Sequence, residues 1–125
     1  MKVVDTTIAV DHLRGAPAAT ELLAGLISDG ETLVASEITR FELLAGVRKA
    51  ELEALEAFFS SLAWASIDEE ISRTAGTLAH RLRRSHGGID DADYLIAATA
   101  IVLDANLLTT NVRHFPMIKG LRAPY

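Results

Sequence analysis

Lys2-Val3-Val4-Asp5-Thr6-Thr7-Ile8-Ala9-Val10-Asp11-His12-Leu13-Arg14-Gly15 opens the chain, and its reading sets the fold class. Lys2 to Val4 reads as a short buried strand that stops at an acid. Thr6 or Thr7 can then cap a helix to Leu13, and Arg14-Gly15 closes it. The same alternation continues along the chain. Pro17 suits the first turn of a second helix to about Ser28, and Asp29-Gly30 is a turn. Glu31 to Ala35 reads as a strand, and Ser36 as the N-cap of a helix through Ile38 to Arg48. A further helix is expected over Glu51 to Leu62, and a strand over Ala63 to Ile67. Asp68 caps a long helix to about Ser85, ended by Gly87-Gly88, and Asp90 or Asp91 caps another to Leu103. Leu107 to Thr110 reads as a strand, and a short strand near Met117-Ile118 is expected to finish the sheet. Short apolar strands alternating with helices predict βαβ units and a mostly parallel sheet, an α/β fold.

The 125 residues suit one domain, 1–125, and half of them are hydrophobic, enough for a packed core. The absence of cysteine excludes disulfides, thiolate zinc sites and cysteine nucleophiles. No apolar run approaches the roughly 18–20 residues of a membrane span. Asp5 and Asp11 also fall where a signal peptide would be apolar, so a cytoplasmic location is expected, with no membrane partner. A formal net charge of −5 argues against a tightly held nucleic acid. Two basic clusters nevertheless leave room for a transient one: Arg81, Arg83, Arg84 and His86, then Arg113, His114, Lys119 and Arg122. Gly-rich phosphate loops and GxSxG elbows are missing, and no two histidines have ligand spacing on one helix.

The chemistry sits in the acids. On a helical wheel Ile38, Phe41, Glu42 and Ala45 share one face, so Glu42 interrupts an apolar stripe. Asp90, Asp91 and Asp93 open a helix that is otherwise almost wholly apolar. Asp5 and Asn111 follow predicted strands at their carboxyl ends, where ligands bind in such sheets. Acids placed against a core cost free energy unless compensated, and a hard cation that prefers oxygen ligands would compensate them. Each also has a plainer role. Asp5 can cap a helix, Glu42 can reach the edge of its stripe or pair with an Arg, and Asp93 can serve the helix dipole. Thr6, Thr109 and Thr110 lie beside the expected site and can hydrogen-bond a phosphate.

Four motifs then carry a family resemblance. Val-Val-Asp-Thr-Thr at 3–7, Ser-Glu-Ile-Thr-Arg-Phe-Glu-Leu-Leu-Ala-Gly at 36–46, Asp-Ala-Asp-Tyr-Leu-Ile-Ala-Ala-Thr-Ala at 91–100 and Leu-Leu-Thr-Thr-Asn-Val-Arg-His-Phe at 107–115 resemble, in order and spacing, those of PIN-domain ribonucleases. The match is closest to the VapC-type toxins of toxin–antitoxin pairs. The resemblance implies a three-layer α/β/α sandwich and Mg²⁺- or Mn²⁺-dependent cleavage of RNA. It also implies a homodimer, open to higher toxin–antitoxin assembly, and inhibition by a VapB-type antitoxin. By motif, Asp5, Glu42 and Asp93 are the expected catalytic and metal-binding acids, with Asp91 and Asn111 as auxiliaries. Asn111 stands where many members carry a fourth Asp, which favours one metal over two. Thr6, Thr110, Arg83, Arg84 and Arg113 are the expected substrate contacts, the arginines on charge alone. The alternative is a catalytically weak module that chiefly binds an antitoxin and co-regulates DNA binding. A receiver-like phospho-acceptor is more distant, since Lys119 is poorly placed for it.

Overall fold

The computed structural model describes all 125 residues. Four strands form one wholly parallel sheet: β1 (Lys2–Val4), β2 (Leu33–Ser36), β3 (Ala63–Ala65) and β4 (Asn106–Leu108), in the order β3-β2-β1-β4. Helices α1 (Thr6–Leu13) and α2 (Pro17–Ser28) link β1 to β2. Helices α3 (Glu37–Gly46) and α4 (Leu52–Phe59) link β2 to β3, and α5 (Glu69–Leu82) and α6 (Asp91–Val102) link β3 to β4.

Alternation along the strands explains the layers. Successive side chains point to opposite faces. Val3, Val34 and Leu107 therefore face one way, into a core shared with Ile71, Ala75 and Leu78 of α5 and Ile96, Ala97 and Ala100 of α6. Val4, Leu33 and Ala35 face the other way, towards Ile8, Leu23, Leu43, Leu55, Phe58 and Phe59 of α1 to α4. Two cores flank one sheet, the expected α/β/α sandwich. Strands buried on both faces need no polar alternation, which is why they appear in sequence as plain apolar runs.

Several local expectations are corrected. Of the caps expected for α1, the N-cap is Asp5, whose carboxylate accepts from Thr6 N–H, and not Thr6 or Thr7. Ser36 ends β2 and also caps α3, accepting from Ile38 N–H at 3.2 Å. The helix expected over 51–62 begins with a 3₁₀ turn, Lys49–Glu51, and its α-helical part ends at Phe59. β3 stops at Ala65 and α5 at Leu82, both short of their expected ends. No strand forms at Met117-Ile118; the chain there is in turns, packed against the core around Phe115. The sheet ends at β4, whose outer edge stays unpaired because residues 109–118 turn across the carboxyl edge instead of running back beside it.

The face of α3 is also different from the wheel reading. Its buried residues are Thr39 and Leu43; Phe41 is 65% exposed and Ala45 is exposed. Glu42 is half-buried at the border of the two faces. The buried Thr39 was invisible as a core residue because its hydroxyl counts as polar in any periodicity reading.

Leu55→Ala should lower stability by about 2–5 kcal/mol, because Leu55 is 1% exposed in the second core. Phe41→Ser should change it by no more than about 0.5 kcal/mol. Urea unfolding of the two variants checks the assignment of the α3 face; a larger loss for Phe41→Ser would reverse it.

Candidate active site

β1 sits between β2 and β4, so the strand order reverses direction around it. In parallel sheets that switch point leaves a crevice at the carboxyl ends of the strands. Asp5 N–H donates to Leu108 C=O at 2.9 Å, extending the β1–β4 pairing by one residue and setting Thr109 beside Asp5. Asp5 is 3% exposed, and both its carboxylate oxygens accept hydrogen bonds, with one lone pair of Oδ1 left over. Oδ1 accepts from Thr6 N–H at 2.8 Å; Oδ2 accepts from Thr7 Oγ1 at 2.9 Å and Thr109 Oγ1 at 2.7 Å. The plain capping role and the site role therefore coincide in one side chain.

Glu42 reaches the same crevice from α3. Its Oε1 accepts from Thr6 Oγ1 at 2.8 Å, and it has no arginine partner. Thr6 Oγ1 also lies 3.1 Å from Thr39 Oγ1, so buried Thr39 helps orient the hydroxyl that holds Glu42.

Asp93 enters from the first turn of α6 and is 9% exposed. Its Oδ2 accepts from Asp90 N–H at 3.3 Å and lies 2.9 Å from His114 Nδ1. That same Nδ1 lies 2.8 Å from the side-chain amide of Asn111. One ring nitrogen cannot donate to Asp93 and accept from Asn111 together. Two arrangements satisfy all three groups. Either His114 donates to an ionised Asp93 and Asn111 turns its carbonyl oxygen to the ring, or a protonated Asp93 and the Asn111 amide both point at a bare Nδ1. Burial first, then the Asp90 side chain, push the Asp93 carboxyl up to about 7, against opposing effects of the Asp90 N–H and of His114.

Together these residues line one cavity of about 410 Å³, bounded by Asp5, Asp11, Glu42, Asp90, Asp93 and Asn111 among others. Five carboxyl groups face it, against a single guanidinium, Arg14. Thr6, Thr7, Thr110 and His114 complete the polar lining. The donor set is almost all oxygen and carries uncompensated charge, which fits a hard divalent cation. No three of its acidic or imidazole groups converge into a ready-made coordination shell. Such a set could hold an ion that keeps much of its water and takes one or two carboxylates directly. Asp5, Glu42 and Asp93 are brought together in this lining.

The remaining expected residues divide. Thr6, Thr110 and Asn111 are in the cavity. Asp91 is not: it is exposed and pairs with Arg83 at 2.8 Å, turned away from the acids. Arg83, Arg84 and Arg113 do not line the cavity either. Asp11, Arg14, Asp90 and His114 also line it. Asp90 was expected only as a cap and His114 only as part of a basic cluster. Spacing offered one signal for Asp11 and Arg14, which follow Thr7 by one and two helical turns on one face of α1. No local pattern joins His114 to its partners Asp93 and Asn111, because Asp93 comes from a distant segment.

The PIN domain family model matches residues 2–120. The chain belongs to the PIN-domain family. It is 68% identical over 125 residues to ribonuclease VapC19 of Mycobacterium tuberculosis, covering 100% of both chains. It is 42% identical to ribonuclease VapC10 of the same organism, covering 100% of this chain and 93% of that one. Among solved structures it is similar to VapBC2 from Rickettsia felis bound to a DNA fragment from their promoter. The TM-score there is 0.83 at 26% identity, over 98% of this chain and 96% of that one. This is thus a PIN domain of the VapC group.

In the metal-free PIN domain, the Asp93 charge works against the fold. Its folded-state value of about 7 lies above the ordinary 3.8, so between those limits the native protein holds a proton that the unfolded chain has lost. Stability attributable to this group falls as pH rises through that window. Asp93→Asn, neutral at every pH, should exceed wild type by on the order of 1 kcal/mol at pH 8 in EDTA, and the gain should vanish near pH 4. Urea titrations at both pH values measure this; a gain independent of pH would dissociate it from the Asp93 charge.

Proposed function

We infer that this protein is a metal-dependent endoribonuclease and the toxin of a toxin–antitoxin pair. One observation carries the reading: Asp5, Glu42 and Asp93, from three distant segments, line one acidic cavity in a chain that matches ribonucleases of the VapC group over its full length. The relatives' names supply the RNA-cleaving activity, and the oxygen-rich cavity supports the metal requirement.

A bound Mg²⁺ or Mn²⁺ would supply an activated water and neutralise charge building on the phosphodiester. The chain's own groups do the rest. Asp5 is immobilised by three donors and presents a fixed carboxylate edge. Glu42 is held through the Thr6 hydroxyl, and Asp93 through Asp90 N–H and His114. Thr6 and Thr110 are placed to contact a phosphate oxygen. Hydrolysis would add a water oxygen to phosphorus opposite the 3′-oxygen while the P–O3′ bond breaks and a proton equivalent to the one lost by water ends on O3′, leaving a 5′-phosphate and a 3′-hydroxyl. No 2′-hydroxyl nucleophile is required.

The solved VapBC structures contain a toxin with its antitoxin, which supports a VapB-type partner for this chain. Exposed Phe41, Leu44 and Leu52 support self-association as a homodimer. The second reading, a weak nuclease that acts mainly through its antitoxin, rests on Asn111 in place of a fourth acid. No helix is long and apolar enough to cross a membrane.

Glu42→Gln should reduce RNA cleavage in Mg²⁺ or Mn²⁺ by about 100-fold or more while leaving the melting temperature near wild type, since Glu42 makes one hydrogen bond at a half-exposed position. Asp5→Asn should abolish cleavage as well, but with a stability loss of about 1–2 kcal/mol, because an amide NH₂ cannot accept from the threonine hydroxyls. Gel assays of purified protein, with circular dichroism for the fold, read both. Wild-type rates in either variant would remove the acids from the mechanism and favour the second reading.

A further inference from the structure

We propose that Arg14 is a substrate-positioning residue that grips the RNA phosphate next to the one being cut. The inference rests on the nuclease reading and adds a residue that neither motif nor charge cluster pointed to.

A cavity faced by five carboxyl groups repels a polyanion, so substrate entry requires a cation at its edge. Arg14 is the only lysine or arginine lining that cavity. It also lines a second groove of about 560 Å³ between α1, α3 and α4. The two spaces share Thr6, Val10, Arg14 and Glu42, so a strand passing from the acids into the groove passes Arg14. Beyond it the groove is floored by Leu13, Leu43, Val47 and Leu55 and is also lined by Arg48. That apolar floor, with Arg14 at its mouth and Arg48 paired to Glu51 on its wall, suits an unpaired strand, which offers base faces and phosphates together.

The guanidinium is available. Arg40, Arg48, Arg73 and Arg83 are all committed to ion pairs, whereas Arg14 makes none. The obvious partner is Asp11, three residues earlier on α1. Its Oδ2 is instead taken by the Tyr125 hydroxyl at 2.7 Å. A helix C-terminus favours a cation, which accounts for a basic residue at this cap. It does not account for an unpaired one at the junction of two cavities. The planar fork of arginine matches two oxygens of a phosphate, which a lysine would meet only as a point charge.

The test uses full-length protein and a short, unpaired RNA oligonucleotide of mixed sequence. Binding is read by fluorescence anisotropy in Ca²⁺ over a salt series, and cleavage kinetics in Mn²⁺. Arg14→Gln is expected to weaken binding about tenfold and to flatten the log K against log salt slope by about 0.7. It should raise KM by a similar factor with kcat nearly unchanged, and Arg14→Lys should recover part of the loss. Mn²⁺ affinity, followed by calorimetry, should be unchanged or tighter, as a cation leaves the cavity; weaker Mn²⁺ binding would mean that Arg14 only holds the site together. Arg122→Gln, an exposed charge away from both spaces, is the control. An equal fall in that control, or an Arg14→Gln variant indistinguishable from wild type, overturns the inference alone. Wild-type protein that neither binds nor cuts RNA overturns the nuclease reading and this inference with it.

Discussion

The carboxylate of Asp5 ties the molecule together at its carboxyl edge. It caps α1, closes the turn from β1, and through Thr109 pins the segment that follows β4. A buried carboxylate is tolerated only when its oxygens are satisfied, and three donors from two chain segments do that here. The β1–β4 pairing makes it possible, since the bond from Asp5 N–H to Leu108 C=O fixes the distance between the two strand ends. Everything else at the site is arranged around that point. Thr6, the first residue of the helix that Asp5 caps, carries the hydroxyl that holds Glu42.

Charge is the second constraint. The cavity collects five carboxyl groups and answers them with Arg14 and the ring of His114. Threonine hydroxyls and backbone N–H groups satisfy the oxygens without neutralising them, and at Asp93 burial, with the neighbouring Asp90, pushes the carboxyl up towards neutrality. A protein selected only for stability would place apolar or paired groups here. Unrelieved charge at the open end of a rigid sheet is what a cation-binding site requires, and the rigidity comes from two cores packed on strands three or four residues long.

The order of elements was legible because each strand is a plain apolar run and each following helix opens on a cap: Asp5, Ser36, Asp68 and Asp90. Boundaries were less so. The 3₁₀ turn at Lys49–Glu51 and the early end of α5 at Leu82 depend on how the last turn meets its neighbours, which periodicity does not encode. The strand anticipated at Met117-Ile118 failed for a related reason: an apolar pair can pack on a core without joining a sheet. At α3 the wheel singled out Glu42 for an incomplete reason. Glu42 faces the site from the border of the stripe, beside a buried Thr39 that no hydrophobicity pattern would have selected.

The sequence by itself determined the α/β class and the parallel sheet, because strand length and capping residues are local signals that survive without coordinates; it singled out Asp5, Glu42 and Asp93 through the family motifs. It could not decide which further groups share the cavity. Asp91 and Asp93 are two residues apart, yet the helical turn sends one outward to Arg83 and the other inward to His114. Asp11, Arg14 and His114 join the site only because α1 and the segment after β4 are brought to the same edge by the β1–β4 pairing. Proximity between distant segments is a property of packing, and only the tertiary structure could supply it.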